Sequence, residues 1–229
     1  MERKLAVALD VRDKNSALKI LDDLKGKNLI IKIGYALFLK EGFEIITHVK
    51  ERGFEVFLDL KLHDIPNTVY NAVLSAVDKK IDYLTLHALG GREMLLKAVE
   101  AKNNSKLKLL AVTVLTSHSE DYMEFLGSKY SLQQFALKLA QTAVEVGVDG
   151  IVSSPFEVRT LKNSIGKEFL AVTPGIRLGE EKKDDQKRTA TPEFAIKEGA
   201  NILVIGRPIL SSRNKRELVE EILQKINNA

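Results

Sequence analysis

Residues 150–172 read GIVSSPFEVRTLKNSIGKEFLAV, and this stretch contains one complete strand–helix–strand pattern. Residues 150–152 and 169–172 are short apolar runs of the kind found in buried parallel strands. Between them, Ser154-Pro155-Phe156-Glu157 has the pattern of a capping box with proline at the first helical position, which predicts the start of a helix. The stretch therefore predicts a parallel βαβ unit.

The same unit recurs along the whole chain. Segments with helical periodicity separate eight short apolar runs, at residues 5–9, 29–33, 56–62, 83–86, 109–115, 150–152, 169–172 and 202–205. Ser131 with Gln134 and Thr191 before Pro192 predict further helix starts, and glycines 53 and 147 lie where helices should stop. Eight such units predict an α/β fold, a single (β/α)8 TIM barrel over residues 1–229. The alternative is an open doubly wound sheet, but its glycine-rich GxGxxG turn is absent after the first run.

Composition excludes several classes of protein. The chain has 229 residues, of which 45% are apolar, and this apolar fraction excludes intrinsic disorder. It has no cysteine, which excludes disulfide frameworks, thiolate zinc sites and iron–sulfur clusters. It shows neither a signal peptide nor an apolar stretch of membrane-spanning length, so we expect a soluble cytoplasmic protein without a membrane partner. The net charge of +4 is interleaved with acidic residues and forms no basic stripe. A small anionic substrate explains this surplus as well as nucleic acid would, and we expect no nucleic-acid partner.

Charged residues occupy inward positions near the ends of two predicted strands. In the third run Asp59 and Lys61 alternate with leucines, so they face the barrel interior while the leucines face the helices. The same alternation turns Lys32 inward, and Asp64 follows three residues after Lys61. Ionised groups inside a barrel are costly unless they are paired, and function in such barrels lies at the carboxyl ends of the strands. The pattern favours a catalytic centre over an ion network that only holds the strands together.

A second group of residues follows the last two strands. Gly175 and Gly206 permit close approach of a ligand to the backbone, and Arg177 and Arg207 carry fork-shaped donors suited to phosphate oxygens. The long charged segment 175–191 is either a surface loop or a lid over a bound anion, and the arginines favour the lid.

A metal site is the weaker interpretation of the polar residues at the strand ends. His63 and His87 follow the third and fourth runs, but neither HxH nor HExxH spacing occurs. A lysine among the carboxylates also repels a cation. We therefore expect no metal.

Residues 59–68, DLKLHDIPNT, resemble the signature of the orotidine 5'-monophosphate decarboxylase family. The resemblance covers the whole chain and includes the segments 8–10 (ALD), 31–34 (IKIG), 115–117 (LTS), 172–177 (VTPGIR) and 205–207 (IGR). The DxKxxD core is shared with relatives that act on sugar phosphates, some of them with magnesium. The HDIP and PGIR segments resemble the orotidylate enzymes in particular.

The resemblance implies a carboxy-lyase of pyrimidine biosynthesis that converts orotidine 5'-monophosphate to uridine 5'-monophosphate without a cofactor. It implies a catalytic array of Lys32, Asp59, Lys61 and Asp64, with Lys61 as proton donor. It also implies a homodimer in which Asp64 and Thr68 reach the partner's site. The substrate-binding positions that it implies are Asp10, Lys32, Asp59, Lys61, Asp64, Ile65, Pro66, Thr68, Thr116, Arg177, Gln186, Gly206 and Arg207, with Ser117 as an alternative to Thr116.

Three other functions also fit parts of this sequence pattern. A sugar-phosphate decarboxylase or synthase on the same barrel would require Mg²⁺. A non-catalytic barrel could use Arg177 and Arg207 only to sense phosphate, although a sensor has no need of the inward Lys and Asp residues. A nucleic-acid binder is the weakest alternative, and would show a steep loss of affinity with salt.

Overall fold

The computed structural model describes residues 2–179 and 189–229, and its centre is a closed barrel of eight parallel strands. The strands pair in chain order, and the eighth pairs again with the first. Their bounds are β1 Lys4–Ala8, β2 Ile30–Ile33, β3 Glu55–Leu62, β4 Tyr83–His87, β5 Lys108–Val112, β6 Gly150–Val152, β7 Leu170–Thr173 and β8 Ile202–Ile205. The predicted (β/α)8 barrel is confirmed.

Helices follow each strand and cover the outside of the barrel. They are α1 Lys14–Leu24, α2 Tyr35–Glu41, α3 Glu44–Glu51, α4 Pro66–Asp78, α5 Gly91–Lys102, α6 Asp121–Phe125, α7 Leu132–Glu145, α8 Val158–Ile165, α9 Pro192–Lys197, α10 Arg207–Ser211 and α11 Lys215–Asn228, with a 3₁₀ turn at Ala88–Gly90. The large core lies between the strands and this layer of helices.

A second, smaller core fills the inside of the barrel. Alternate strand residues such as Ile30, Phe57, Leu110 and Val204 pack there against one another. Because this interior is packed, the described residues leave no channel through the barrel. In this fold ligands bind at the end where the strands finish.

The strand predictions were accurate to one residue at almost every end. The exception is the fifth strand, for which the prediction of residues 113–115 was wrong because the strand ends at Val112. After one last long contact from the Thr113 amide to the Val152 carbonyl, at 3.4 Å, the chain turns across the mouth of the barrel. Val114 and Leu115 therefore line a cavity instead of extending the sheet.

Two of the three predicted helix starts are confirmed, and one was wrong. Ser131 caps α7 in a full capping box, and Thr191 caps α9 with proline next. The predicted box at Ser154 forms only in part. The Glu157 side chain accepts from the Ser154 amide at 3.2 Å, but the Ser154 hydroxyl is buried and accepts no bond among the described residues. Residues 155–157 form a turn instead, so α8 begins at Val158.

A repeated clamp closes the opposite end of the barrel. Asp82, Asp149 and Asn201 immediately precede the even-numbered strands β4, β6 and β8. The side chain of each accepts the backbone N–H of the second residue of the preceding strand, with the pairs Val56–Asp82 at 2.7 Å, Leu109–Asp149 at 2.9 Å and Ala171–Asn201 at 2.9 Å. Each side chain also accepts a hydrogen bond from a lysine in the helix that precedes the odd-numbered strand. The pairs are Lys50–Asp82, Lys102–Asp149 and Lys162–Asn201. The three clamps hold neighbouring strands in register at their amino ends.

Candidate active site

The carboxyl ends of the strands surround a cavity of about 590 Å³, a size that suits a small-molecule ligand. Polar side chains from most of the strand ends converge on it. The residues predicted from the sequence that line it are Asp10, Lys32, Asp59, Lys61, Thr116, Ser117, Gly175, Arg177, Gly206 and Arg207. The structure therefore brings both predicted groups of residues, the Lys and Asp array and the arginines, into one cavity.

Four of these side chains form a row of alternating charge. Lys32 Nζ lies 3.5 Å from Asp10 Oδ1 and 3.3 Å from Asp59 Oδ2. The other oxygen of Asp59, Oδ1, lies 2.9 Å from Lys61 Nζ. The side chain of Asp59 is only 12% exposed, so its charge depends on these two ammonium groups. Lys61 stands at the opposite end of the row from Asp10 and lines the cavity.

The electrostatics favour a charged Asp59. Burial raises the pKa of Asp59, but the ammonium groups of Lys32 and Lys61 and hydrogen bonds from Lys61 and Thr85 outweigh burial, so the pKa lies below its usual value. The carboxylate therefore stays ionised near neutral pH and keeps both lysines paired. Such a fixed arrangement of charges can stabilise negative charge that develops on a ligand next to Lys61.

The backbone at Lys61 departs from regular strand geometry. Its φ is +45°, and the pairing of β3 with β4 shifts register between Leu58 and Leu62. Two hydroxyl groups hold the chain here: Tyr35 donates to the Leu60 carbonyl at 2.7 Å, and Thr85 accepts from the Lys61 amide at 2.8 Å. A shift of this kind re-aims a side chain.

His87 forms an uncharged wall of the cavity. Burial, together with the nearby charges of His63, Lys61 and His118, lowers the pKa of His87 to about 4. Its Nδ1 accepts from the Leu89 amide at 3.3 Å, which assigns the ring proton to Nε2. The ring of His63 stacks on it at 5.6 Å between centroids. A neutral imidazole here adds no second positive charge beside Lys61.

The side of the cavity formed by β7 and β8 carries the predicted phosphate-binding residues. Gly175 has a φ of +78°, which only glycine adopts readily, and residues 175–177 pair with Ala190 through two backbone hydrogen bonds. These bonds join the two ends of the predicted lid. Gln186 and most of that segment lie outside the described residues.

Four predicted residues are not brought into this cavity within one chain. Asp64 and Thr68 line a neighbouring pocket of about 410 Å³, which shares Lys61 with the main cavity. Asp64 accepts from the Ile65 amide at 2.6 Å, and within the described part of one chain it forms no ion pair. Ile65 and Pro66 lie beside it at the start of α4, and the Ile65 side chain is 68% exposed.

Sequence reasoning missed Tyr35, Thr85 and the role of His87. Tyr83, Thr85 and His87 alternate with leucines just as Asp59 and Lys61 do, so the same alternation could have placed Thr85 and His87 on the inner face. Tyr35 carries no such signal, because it follows Gly34 at the start of a helix and reaches the site only through the fold.

Comparison with known proteins identifies the family. A family model described as "Orotidine 5'-phosphate decarboxylase / HUMPS family" matches residues 3–222. The chain belongs to this family. This membership confirms the resemblance seen at residues 59–68.

Individual relatives match over almost their full length. "Orotidine 5'-phosphate decarboxylase" of Aquifex aeolicus is 47% identical over 227 residues, which cover 96% of this chain and 97% of the relative. The protein of the same name from Carboxydothermus hydrogenoformans is 43% identical over 232 residues, 99% and 97% of the two chains. The crystal structure of orotidine 5'-phosphate decarboxylase from Lactobacillus acidophilus superimposes with a TM-score of 0.87 at 37% identity and covers 99% of this chain and 100% of that one.

The described residues contain neither a cluster suited to a metal ion nor a helix suited to a membrane. In residues 2–179 and 189–229, no group of three His, Asp or Glu side chains is arranged to hold a metal ion. Over the same residues, no helix has the length and apolar character needed to cross a membrane.

Proposed function

We propose that this protein decarboxylates orotidine 5'-monophosphate to uridine 5'-monophosphate in pyrimidine biosynthesis, with Lys61 as the proton donor and without a cofactor. The observation that carries the proposal is the row Asp10–Lys32–Asp59–Lys61 inside the cavity. Relatives that carry the name of this enzyme, at 42–47% identity over nearly the whole chain, support it.

The main requirement of the reaction is a fixed positive charge next to the ring carbon that loses the carboxylate. The bond between the ring carbon and the carboxylate breaks, carbon dioxide leaves, and the electron pair stays on the ring carbon in the plane of the ring, where the π-system cannot accept it. The Lys61 ammonium stabilises this pair and then transfers one proton to the carbon, which leaves a neutral amine that solvent reprotonates. Asp59, 2.9 Å from Lys61 Nζ, keeps the ammonium charged and aimed.

In this proposal, different groups of residues bind the ribose, the pyrimidine and the phosphate of the substrate. Asp10 and Lys32 would hold the ribose hydroxyls, and Thr116 or Ser117 would contact the pyrimidine edge; all four residues line the cavity. Arg177, Arg207 and the backbone at Gly206 would bind the 5'-phosphate, with Gln186 from the segment outside the described residues. The phosphate lies far from the bond that breaks, so its binding energy contributes to the rate only if it helps to order the charged array.

The proposal includes a homodimer that completes the site. Asp64 and Thr68 line the pocket next to the cavity but stay outside the charged row of their own chain. Exposed apolar side chains occur on the elements that form that pocket: Tyr35, which lines it, is 50% exposed, Leu39, one turn later in α2, is 82% exposed, and Ile65, next to Asp64, is 68% exposed. Such a patch marks an interaction surface, and a second copy seated on it would bring its own Asp64 and Thr68 to the cavity.

The test is to incubate the protein with orotidine 5'-monophosphate in excess chelator and to follow uridine 5'-monophosphate by NMR. We expect turnover in the chelator, and Lys61→Ala to lower kcat by about 1,000-fold or more while product binding weakens by less than about tenfold. Turnover only with Mg²⁺ and a sugar phosphate would instead support the sugar-phosphate alternative. Undiminished turnover by Lys61→Ala would refute its role as proton donor.

A further inference from the structure

Two side-chain hydroxyls form hydrogen bonds with the peptide group between Leu60 and Lys61. Tyr35, at the start of α2, donates to the Leu60 carbonyl at 2.7 Å. Thr85, in the middle of β4, accepts from the Lys61 amide at 2.8 Å. Because these are the two polar atoms of one peptide group, its plane is fixed from both sides.

This peptide needs side chains to hold it because the sheet does not. The register shift between β3 and β4 covers the residues from Leu58 to Leu62, so the regular ladder of backbone bonds is interrupted here. Lys61 has a φ of +45°, a conformation that is unfavourable for a residue other than glycine. Such a conformation persists only where its surroundings enforce it.

Thr85 also reaches the counter-ion of the same lysine. Its hydroxyl donates to Asp59 Oδ1 at 3.0 Å, the oxygen that Lys61 Nζ approaches to 2.9 Å. A hydroxyl has one proton to donate and lone pairs to accept with, so the bond to Asp59 uses the proton and the bond from the Lys61 amide uses a lone pair. Thr85 is 1% exposed, so water cannot replace either bond.

We infer that Thr85 and Tyr35 are positioning residues, which set the place and direction of the Lys61 side chain for proton transfer. Neither residue is assigned to the reacting atoms. The inference rests on the proposed role of Lys61. A displacement of a reacting group by about 1 Å can lower the rate by about a hundredfold, so we expect loss of these hydrogen bonds to lower kcat.

The decisive variant is Thr85→Val, which keeps the shape of the side chain and removes both hydrogen bonds. We expect kcat to fall by about 30- to 100-fold while KM changes less than about threefold. Thr85→Ser retains the hydroxyl and should recover kcat to within about fivefold of the wild type. Tyr35→Phe removes only the bond to Leu60 and should lower kcat by about 3- to 10-fold.

Matched controls separate positioning from general loss of a buried hydroxyl. Thr113 is also fully buried, and within the described part of the chain its hydroxyl bonds only to the Val152 carbonyl, at 3.4 Å. Tyr83 lies at the opposite end of the barrel, with its hydroxyl 3.5 Å from Glu55. Thr113→Val and Tyr83→Phe are expected to keep the kcat of the wild type even where thermal unfolding shifts.

The outcomes distinguish this inference from the proposed function. Lys61→Ala is assayed alongside, and if it still turns over, the role of Lys61 fails first. If Lys61→Ala is inactive but Thr85→Val and Tyr35→Phe keep the kcat of the wild type, only the positioning inference is overturned. An equal loss in the two controls overturns it as well. Should Thr85→Val fail to fold, Tyr35→Phe decides, because Tyr35 is half exposed and its ring packing is unchanged.

Discussion

Lys61 combines a charged side chain at the barrel mouth with a backbone conformation that lysine rarely adopts. Strand alternation in the sequence predicted that its side chain faces inward beside Asp59, and the structure places it there. The left-handed φ could not be predicted in the same way. It depends on how β3 pairs with β4 and on hydroxyls of Tyr35 and Thr85, which are distant in the chain and belong to no motif.

The uncharged state of His87 makes the stability of the protein depend on pH. The folded protein holds the pKa of His87 at about 4, through burial and through His63, Lys61 and His118, while an unfolded histidine titrates near its usual value of 6.5. Between about pH 6.5 and pH 4, His87 is protonated in the unfolded chain but not in the folded protein. The stability that the neutral ring contributes above pH 6.5 is therefore lost as pH falls through this range.

The measurement is the free energy of urea unfolding at pH 7 and pH 5 for the wild type and for His87→Gln. We expect the wild type to lose about 1 kcal/mol more than the variant between these two values, a figure reduced because the ring is partly exposed. Carboxylate groups titrate equally in both proteins, so their contribution to the change in unfolding free energy cancels in this difference. Parallel losses in the two proteins would contradict the neutral state of His87.

At the scale of elements, the sequence predicted which segments form strands better than where each element ends. Eight apolar runs became eight strands, because burial on both faces leaves a clear signal. The end of β5 was missed because Val114 and Leu115 line the cavity, and the start of α8 was missed because the Ser154 hydroxyl forms no capping bond among the described residues. The clamps at Asp82, Asp149 and Asn201 are equally invisible in the sequence, since each joins three separate elements.

The clamp at Asp149 predicts a stability defect without a catalytic one. Its carboxylate is 13% exposed and bonds both the Leu109 amide and Lys102. Asp149→Ala leaves a buried amide and an ammonium group unpaired, so we expect a loss of about 3 kcal/mol, against about 1 kcal/mol for Asp149→Asn, which can still accept the amide bond. Urea unfolding measures the loss, and the kcat of the folded variant should stay unchanged. A stability equal to the wild type in Asp149→Ala would show that the clamp is dispensable.

At the scale of the whole molecule, the closed barrel explains why residues far apart in the chain meet at one cavity. The strand count predicted the closure, and closure brings β1, β2, β3 and β8 to one mouth. Asp64 belongs to the predicted array, but it lies at the start of α4, in the adjoining pocket. We therefore propose that assembly of two chains, rather than folding of one, completes the array.

Mixing two inactive variants tests this assembly. A dimer of Lys61→Ala with Asp64→Asn contains one site with an intact Lys61 from one chain and an intact Asp64 from the other. Random exchange should then restore about a quarter of the wild-type activity per subunit, since half of the dimers are mixed and each has one intact site. Lys61→Ala mixed with Lys32→Ala is the matched control, because these two lysines contact the same Asp59 within one chain and no mixed site is intact. Recovery in the first mixture alone supports a shared site. No recovery, in samples where mass spectrometry of differently tagged chains shows that subunits have exchanged, would place Asp64 outside the catalytic array.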